Sequence, residues 1–257
     1  MLKEIEEAFG MATSVVLGKR LAGLEGYEGW LTTQVRIPLL RHSAISGKPF
    51  QMAPFIRFVL TQDKIVDLDE SYGIAGKKSL DRQTARSLTM ANAAAALGGM
   101  VYYSPEVAIG KNFEMDQCSL IANSSFCFRT FYVAECKFCA YCAWPRESEY
   151  VFGSDQCFSS KFCFKCYNSV NLTRCLEVSN SANSSDLYFC HNVENCAECM
   201  FCFNVKAKRY AIGNVEMKKE DYLRIKKMVL DEIGARLEKN KKLGISIYNI
   251  GSGESHE

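Results

Sequence analysis

Thirteen cysteines are the residues of this 257-residue chain whose type and spacing could do chemistry. Several have the two-residue spacing of zinc or iron–sulfur knuckles, in which thiolates ligate the metal. Core thiols and disulfides are the alternatives, because cysteine is also a small hydrophobic residue that is often buried. The knuckle-like groups are Cys136-x-x-Cys139-x-x-Cys142, Cys163-x-x-Cys166 and Cys196-x-x-Cys199-x-x-Cys202.

The cysteines follow a strict period of three residues. Every separation between two of them is a multiple of three, and residues such as Val133 and Leu172 continue the same phase where cysteine is absent. The repeat by itself therefore produces the two-residue spacing, so we expect structural thiols, with no metal, no cofactor and no catalytic residue. The full set is Cys118, Cys127, Cys136, Cys139, Cys142, Cys157, Cys163, Cys166, Cys175, Cys190, Cys196, Cys199 and Cys202.

Asparagine occupies a second phase of the same repeat, immediately before the cysteine phase. Asparagine tolerates left-handed backbone angles better than other residues with a side chain, so it marks positions where the chain turns. Each triplet is therefore predicted to run turn, inward, outward. The asparagines in this phase are Asn123, Asn168, Asn171, Asn180, Asn183, Asn192, Asn195 and Asn204.

A backbone with a period of three can be identified by elimination. An inward stripe at every third position drifts around an α-helix, long 3₁₀-helices are uncommon, and a flat strand has period two. A polyproline-type bundle needs glycine at its axis, but Gly153 is the only glycine between residues 118 and 205. The sequence therefore predicts a narrow parallel β-solenoid over residues 118–212, with coils of 12 to 18 residues and a loop bulging out at 143–150.

Two resemblances concern this repeat. Its spacing resembles the disulfide-filled β-helices of insect antifreeze proteins, although their outward threonine ladder is missing. Residues 157–230, with Cys196-Ala-Glu-Cys199-Met-Phe-Cys202 followed by Lys218-Lys-Glu-Asp-Tyr222, resemble a family of cysteine-rich hypothetical proteins from uncultivated bacteria and archaea. Members of that family often carry zinc ribbons before the repeat, and this chain has none. The resemblance implies the fold and no activity.

The flanking segments are predicted to be mixed α and β, which makes the fold class α+β dominated by β. The chain is predicted to divide into three parts. Residues 1–117 form a helix at 2–22, a strand-rich region at 30–69 and an alanine-rich helix at 79–97. Residues 118–212 form the solenoid, and residues 213–257 form a basic helix, a short strand and a loose tail. The basic helix carries an apolar stripe from Tyr222 to Leu237, and the two later helices are expected to cap the ends of the solenoid.

Two other features have weak chemical signals. The segment 73–79 is similar to a phosphate-binding loop, but Ser71 stands where the first glycine belongs and Lys78 where serine or threonine belongs. His191 is outward by phase and has no partner in the sequence, so we expect a surface histidine.

Composition limits the possible functions. Hydrophobic residues make up 48% of the chain and charged residues 23%, which excludes overall disorder. No long apolar stretch or leader is present, so a soluble cytoplasmic protein without a membrane partner is expected. We predict a non-enzymatic structural or interaction protein that self-associates or binds a protein partner and has no small-molecule substrate. The alternative is a zinc-binding or RNA-associated factor, but a net charge of +2 does not favour nucleic acid.

Overall fold

A parallel β-solenoid of about nine coils over residues 108–212 dominates the chain. The computed structural model describes residues 3–54 and 62–252. Residue i of one coil pairs with residue i+12 of the next, as in Cys127 opposite Cys139 and Leu172 opposite Ser184. Each coil therefore has twelve residues, the lower limit of the predicted range. The solenoid strands are β3 (Ala108–Ile109), β4 (Phe113–Asp116), β5 (Ser119–Ala122), β6 (Ser125–Phe128), β7 (Phe131–Ala134), β8 (Lys137–Ala140), β9 (Glu149–Phe152), β10 (Asp155–Phe158), β11 (Lys161–Ser179), β12 (Ala182–Glu194), β13 (Ala197–Met200), β14 (Phe203–Lys206) and β15 (Arg209–Ile212).

The predicted triplet of turn, inward and outward is confirmed. Every third residue from Glu114 to Tyr210 has a left-handed backbone, with φ between 45° and 63°. All the asparagines of the predicted turn phase are among these residues. This conformation costs each non-glycine residue about 1–2 kcal/mol, and the hydrogen bonds between coils together with the packed interior must offset that cost.

The cysteine phase fills the interior of the solenoid. All the cysteines are buried except Cys118, which is partly exposed in the first coils. Residues that stand one coil apart in the chain stack above one another, and we call such a set a column. Four inward columns run through the core, so each coil contributes one inward side chain from each of its four sides.

The predicted loop at 143–150 is wrong. Ala143 pairs with Asp155 of the next coil, Ser148 is fully buried, and Trp144 and Glu147 keep the left-handed corner conformation. The charged residues of this stretch occupy outward and corner positions, so they do not disturb the core. The coil therefore continues through a stretch of unusual composition.

The solenoid begins at Ala108, well before the first cysteine. Its first coil is slightly irregular, because Ala108 pairs with Ile121, one position beyond the register of the later coils, and Gly110 turns the chain with a positive φ. At the other end a further strand, β16 (Val215–Glu216), pairs antiparallel with β15.

The amino-terminal segment packs on the solenoid of its own chain. Helix α1 (Lys3–Leu17), a 3₁₀ turn (Leu24–Tyr27) and α2 (Glu28–Leu31) cover one side of the coils. The ring of Phe9 lies 5.5 Å from that of Phe152. Helices α1 and α2 therefore bury their apolar side against their own chain, where an outward apolar column of the solenoid provides the partner. That column consists of Phe128, Ala140, Phe152, Phe164, Leu176, Tyr188, Met200 and Ile212.

Residues 30–54 and 62–107 are less regular than predicted. Strands β1 (Leu39–His42) and β2 (Pro49–Met52) form a hairpin around Gly47, but residues 34–38 are not a strand. Residues 55–61, which belong to the predicted strand-rich region 30–69, lie outside the described residues. The predicted helix at 79–97 is wrong. Its place is taken by shorter helices, because the Asn92 side chain bonds to Ser87 and Thr89 and interrupts the helix. The helices after residue 62 are α3 (Leu68–Ile74), α4 (Arg82–Arg86, capped by Asp81) and α5 (Ala93–Leu97).

The predicted roles of both capping helices need correction. Helix α5 has no buried residue and so does not pack tightly against the start of the solenoid. Helix α6 (Lys219–Asn240) begins on the last coil, where the rings of Tyr222 and Tyr210 lie 5.6 Å apart. It then runs along the side of the solenoid, because Lys226 donates to Glu198 one coil further back. The predicted apolar stripe of this helix is confirmed, with Tyr222, Ile233 and Leu237 buried.

Candidate functional site

The cysteines that the sequence offered for chemistry lie in stacked columns inside the core. Burial raises the pKa of the Cys142 thiol well above its usual range, which keeps the sulfur protonated. This thiol donates to the Ala140 carbonyl, at a sulfur–oxygen distance of 3.2 Å. All the cysteines are free thiols, and no group of three or more metal-ligating side chains in residues 3–54 and 62–252 is arranged to hold a metal ion.

Serines of the same phase join neighbouring coils. The Ser160 hydroxyl donates to the Phe158 carbonyl at 2.7 Å and accepts from the Leu172 amide of the next coil at 3.0 Å. Ser181 repeats the arrangement with Ser179 and Val193. The Ser160 and Ser181 hydroxyls therefore join neighbouring coils, so the alternation of serine and cysteine in this phase is a structural pattern.

A thiol reagent tests this interpretation. We expect native protein to react fastest at Cys118 and slowly at the other twelve positions, with all thirteen reacting after denaturation. Cys118→Ser should remove the fast phase and leave the slow phase unchanged. We also expect freshly purified protein to contain far less than one zinc or iron per chain. Stoichiometric metal, lost together with the fold on chelation, would instead support the metal-binding alternative.

A buried ion pair, which the sequence analysis missed, connects three parts of the chain. The Lys165 ammonium lies 3.6 Å from a Glu177 carboxylate oxygen, and both side chains are almost fully buried. Lys165 also donates to the Trp30 carbonyl at 2.7 Å and to the Thr33 hydroxyl at 2.6 Å, and Glu177 accepts from the Ile247 amide at 2.9 Å. Burial lowers the pKa of Lys165 and raises that of Glu177. In the sequence, this ion pair is visible as two opposite charges that stand one coil apart, both at corner positions.

His191 has a partner that its sequence neighbourhood did not show. Its Nδ1 lies 2.8 Å from the hydroxyl of Ser179, which stands one coil earlier in the same column. A catalytic serine needs a base whose ring is oriented by a third group and donors for the developing oxyanion. The pair of Ser179 and His191, stacked one coil apart in the same column, is better explained as a structural contact between coils.

The two remaining sequence candidates do not form sites. Gly73 lies within α3, and Lys78 donates to the Gly99 carbonyl, so residues 73–79 do not form a loop between a strand and a helix. On α6, Lys227 pairs with Asp231 and Arg236 with Glu232. These pairs offset part of the positive charge that an RNA-binding surface would need.

A surface with exposed apolar side chains lies at the start of the solenoid. None of the described strands pairs with the outer edges of β3 and β4. Ile109 and Phe113, which lie in these strands, are 58% and 59% exposed, and Val107 beside them is also exposed. We call this surface the open first coil. Its exposed residues Val107, Ile109 and Phe113 precede the first cysteine, so the cysteine periodicity of the sequence did not reveal it.

Comparison with known proteins gives no assignment. No family model matches the chain, and no curated protein matches it. The resemblance of residues 157–230 to cysteine-rich hypothetical proteins therefore stays a prediction. Among the described helices, none is both long enough and apolar enough to cross a membrane.

Proposed function

We propose that the protein is a non-enzymatic structural or interaction protein, a rigid solenoid scaffold that works as a homo-oligomer or as a component of an assembly. The observation that supports this is the difference between the two ends of the solenoid. At the last coil, β16 pairs with β15, and the Asn214 side chain exchanges two hydrogen bonds with the backbone of Phe203. At the open first coil, strand edges and apolar side chains are exposed together.

An exposed strand edge with apolar side chains favours pairing with another chain. In the described part of the chain the last coil is partly closed by β16 and by Asn214, so association through the first coil joins two chains and does not extend into a filament. The thirteen cysteines, all free thiols, are typical of a reducing compartment, so a cytoplasmic location is part of the proposal.

Replacing an exposed apolar residue with glutamate at each end tests the proposal. We expect light scattering at micromolar concentration to give a dimer for the unaltered protein and a monomer for Phe113→Glu, because a charge at the interface costs desolvation energy. Val215→Glu at the closed end is the matched control, since Val215 is 65% exposed. It should leave the dimer intact. A monomeric unaltered protein, or a Phe113→Glu protein that stays dimeric with unchanged circular dichroism, would contradict the proposal.

A further inference from the structure

An apolar cavity opens on the side of the first coils. Its volume is about 280 Å³, and apart from Tyr132 and Arg146 its lining is aliphatic. Leu120, Ile121 and Ala134 contribute to this lining. Pockets that bind small molecules are typically apolar, with a few polar groups that fix the orientation of the ligand. The volume lies near the lower limit for such pockets, so it suits a small ligand and not a protein segment.

Arg146 is the charged residue of this lining. Its guanidinium carbon lies 5.4 Å from the ring centre of Tyr132 and 5.6 Å from that of Trp144, so two aromatic rings hold it in place. Elsewhere on the solenoid, Arg129 pairs with Glu28 and Arg174 with Asp186. Arg146 forms no ion pair with a described residue. An oriented guanidinium without a carboxylate partner is therefore exposed next to an apolar cavity.

We propose that this cavity binds an amphipathic carboxylate of the medium-chain fatty acid class. The alkyl chain occupies the aliphatic cavity, and the carboxylate accepts hydrogen bonds from Arg146. A guanidinium presents parallel N–H donors that match the two oxygens of a carboxylate. A polyanion would need several cations, whereas the lining offers one. The ligand is bound and not converted. Val107 and Ile109 line this cavity and also belong to the open first coil, so the site adjoins the proposed interface. The ligand is nevertheless held by Arg146 and the cavity, so the site goes beyond the proposed scaffold function.

Calorimetric titration with octanoate tests the site. We expect saturable binding of one octanoate per chain, which weakens about fourfold for each methylene removed from the ligand. Octanol, which lacks the charge, should bind about tenfold more weakly than octanoate. Phe113 does not line the cavity, so octanoate should still bind to the monomeric Phe113→Glu protein, in which the shared residues Val107 and Ile109 are uncovered. Saturable binding to this variant keeps a failure of the site separate from a failure of self-association.

Three variants locate the binding. Arg146→Gln should weaken octanoate binding about tenfold, and Ala134→Phe, which fills the cavity, should abolish it. Arg209→Gln is the matched control, because Arg209 also lies over a ring, 5.1 Å from that of Tyr210, but on the last coil. It should bind octanoate like the unaltered protein. Absence of saturable binding, or full binding to either Arg146→Gln or Ala134→Phe, would overturn the proposal.

Discussion

Lys165→Met is expected to lower the free energy of unfolding by about 3–5 kcal/mol. The substitution leaves the Glu177 carboxylate buried without its counter-charge, and breaking a buried pair from one side has this cost. The Trp30 carbonyl and the Thr33 hydroxyl also lose their donor. Urea unfolding followed by circular dichroism measures the change.

A second pair with the same residue types provides the control. Lys161 and Glu149 also stand one coil apart and lie 3.2 Å from one another, but their side chains are 56% and 43% exposed. Lys161→Met should therefore cost less than about 1 kcal/mol. The double variant Lys165→Met/Glu177→Gln should be about 2 kcal/mol more stable than Lys165→Met alone, because it removes the unpaired charge. Equal losses for Lys165→Met and Lys161→Met would mean that burial does not control the energy of these pairs.

The period of three was predictable from the sequence because two residue types follow it for physical reasons. The interior has room for small side chains only, which selects cysteine and serine, and the left-handed corners favour asparagine. The exact coil length could not be predicted from the interior positions, because cysteine, serine and valine replace one another there from coil to coil. The outward apolar column from Phe128 to Ile212 recurs once in every coil, and it is the signal that determines the coil length.

The candidate surfaces were harder to predict than the fold. Phe113 precedes the first cysteine of the chain, so the composition around it resembles that of the irregular segment before it. Arg146 lies in a stretch where proline, tryptophan and charged residues interrupt the usual composition, which suggested a loop. In both places the backbone keeps the repeat while the side chains depart from it. Such departures are where a repeat protein can carry function, since the other positions are constrained by the core.

A second large effect is expected at Gly153. Its φ is +63°, but the corners of the other coils have similar angles without glycine, so the backbone angle alone does not explain this residue. A β-carbon at Gly153 would lie 2.8 Å from the Leu31 carbonyl oxygen and 2.9 Å from a methyl carbon of Leu31. Glycine is therefore needed because α2 ends directly against this corner.

Gly153→Ala should consequently lower the free energy of unfolding by about 2–5 kcal/mol, the sum of the left-handed backbone cost and the overpacking cost. Gly213→Ala separates the two contributions. Gly213 has a φ of +56°, and a β-carbon there would meet nothing within 4 Å, so only the backbone cost of about 1–2 kcal/mol is expected. Thermal and urea unfolding of both variants gives the difference. If the two alanine variants were equally stable, α2 would have to move away from the coil at little cost, and the amino-terminal cover would be loosely attached.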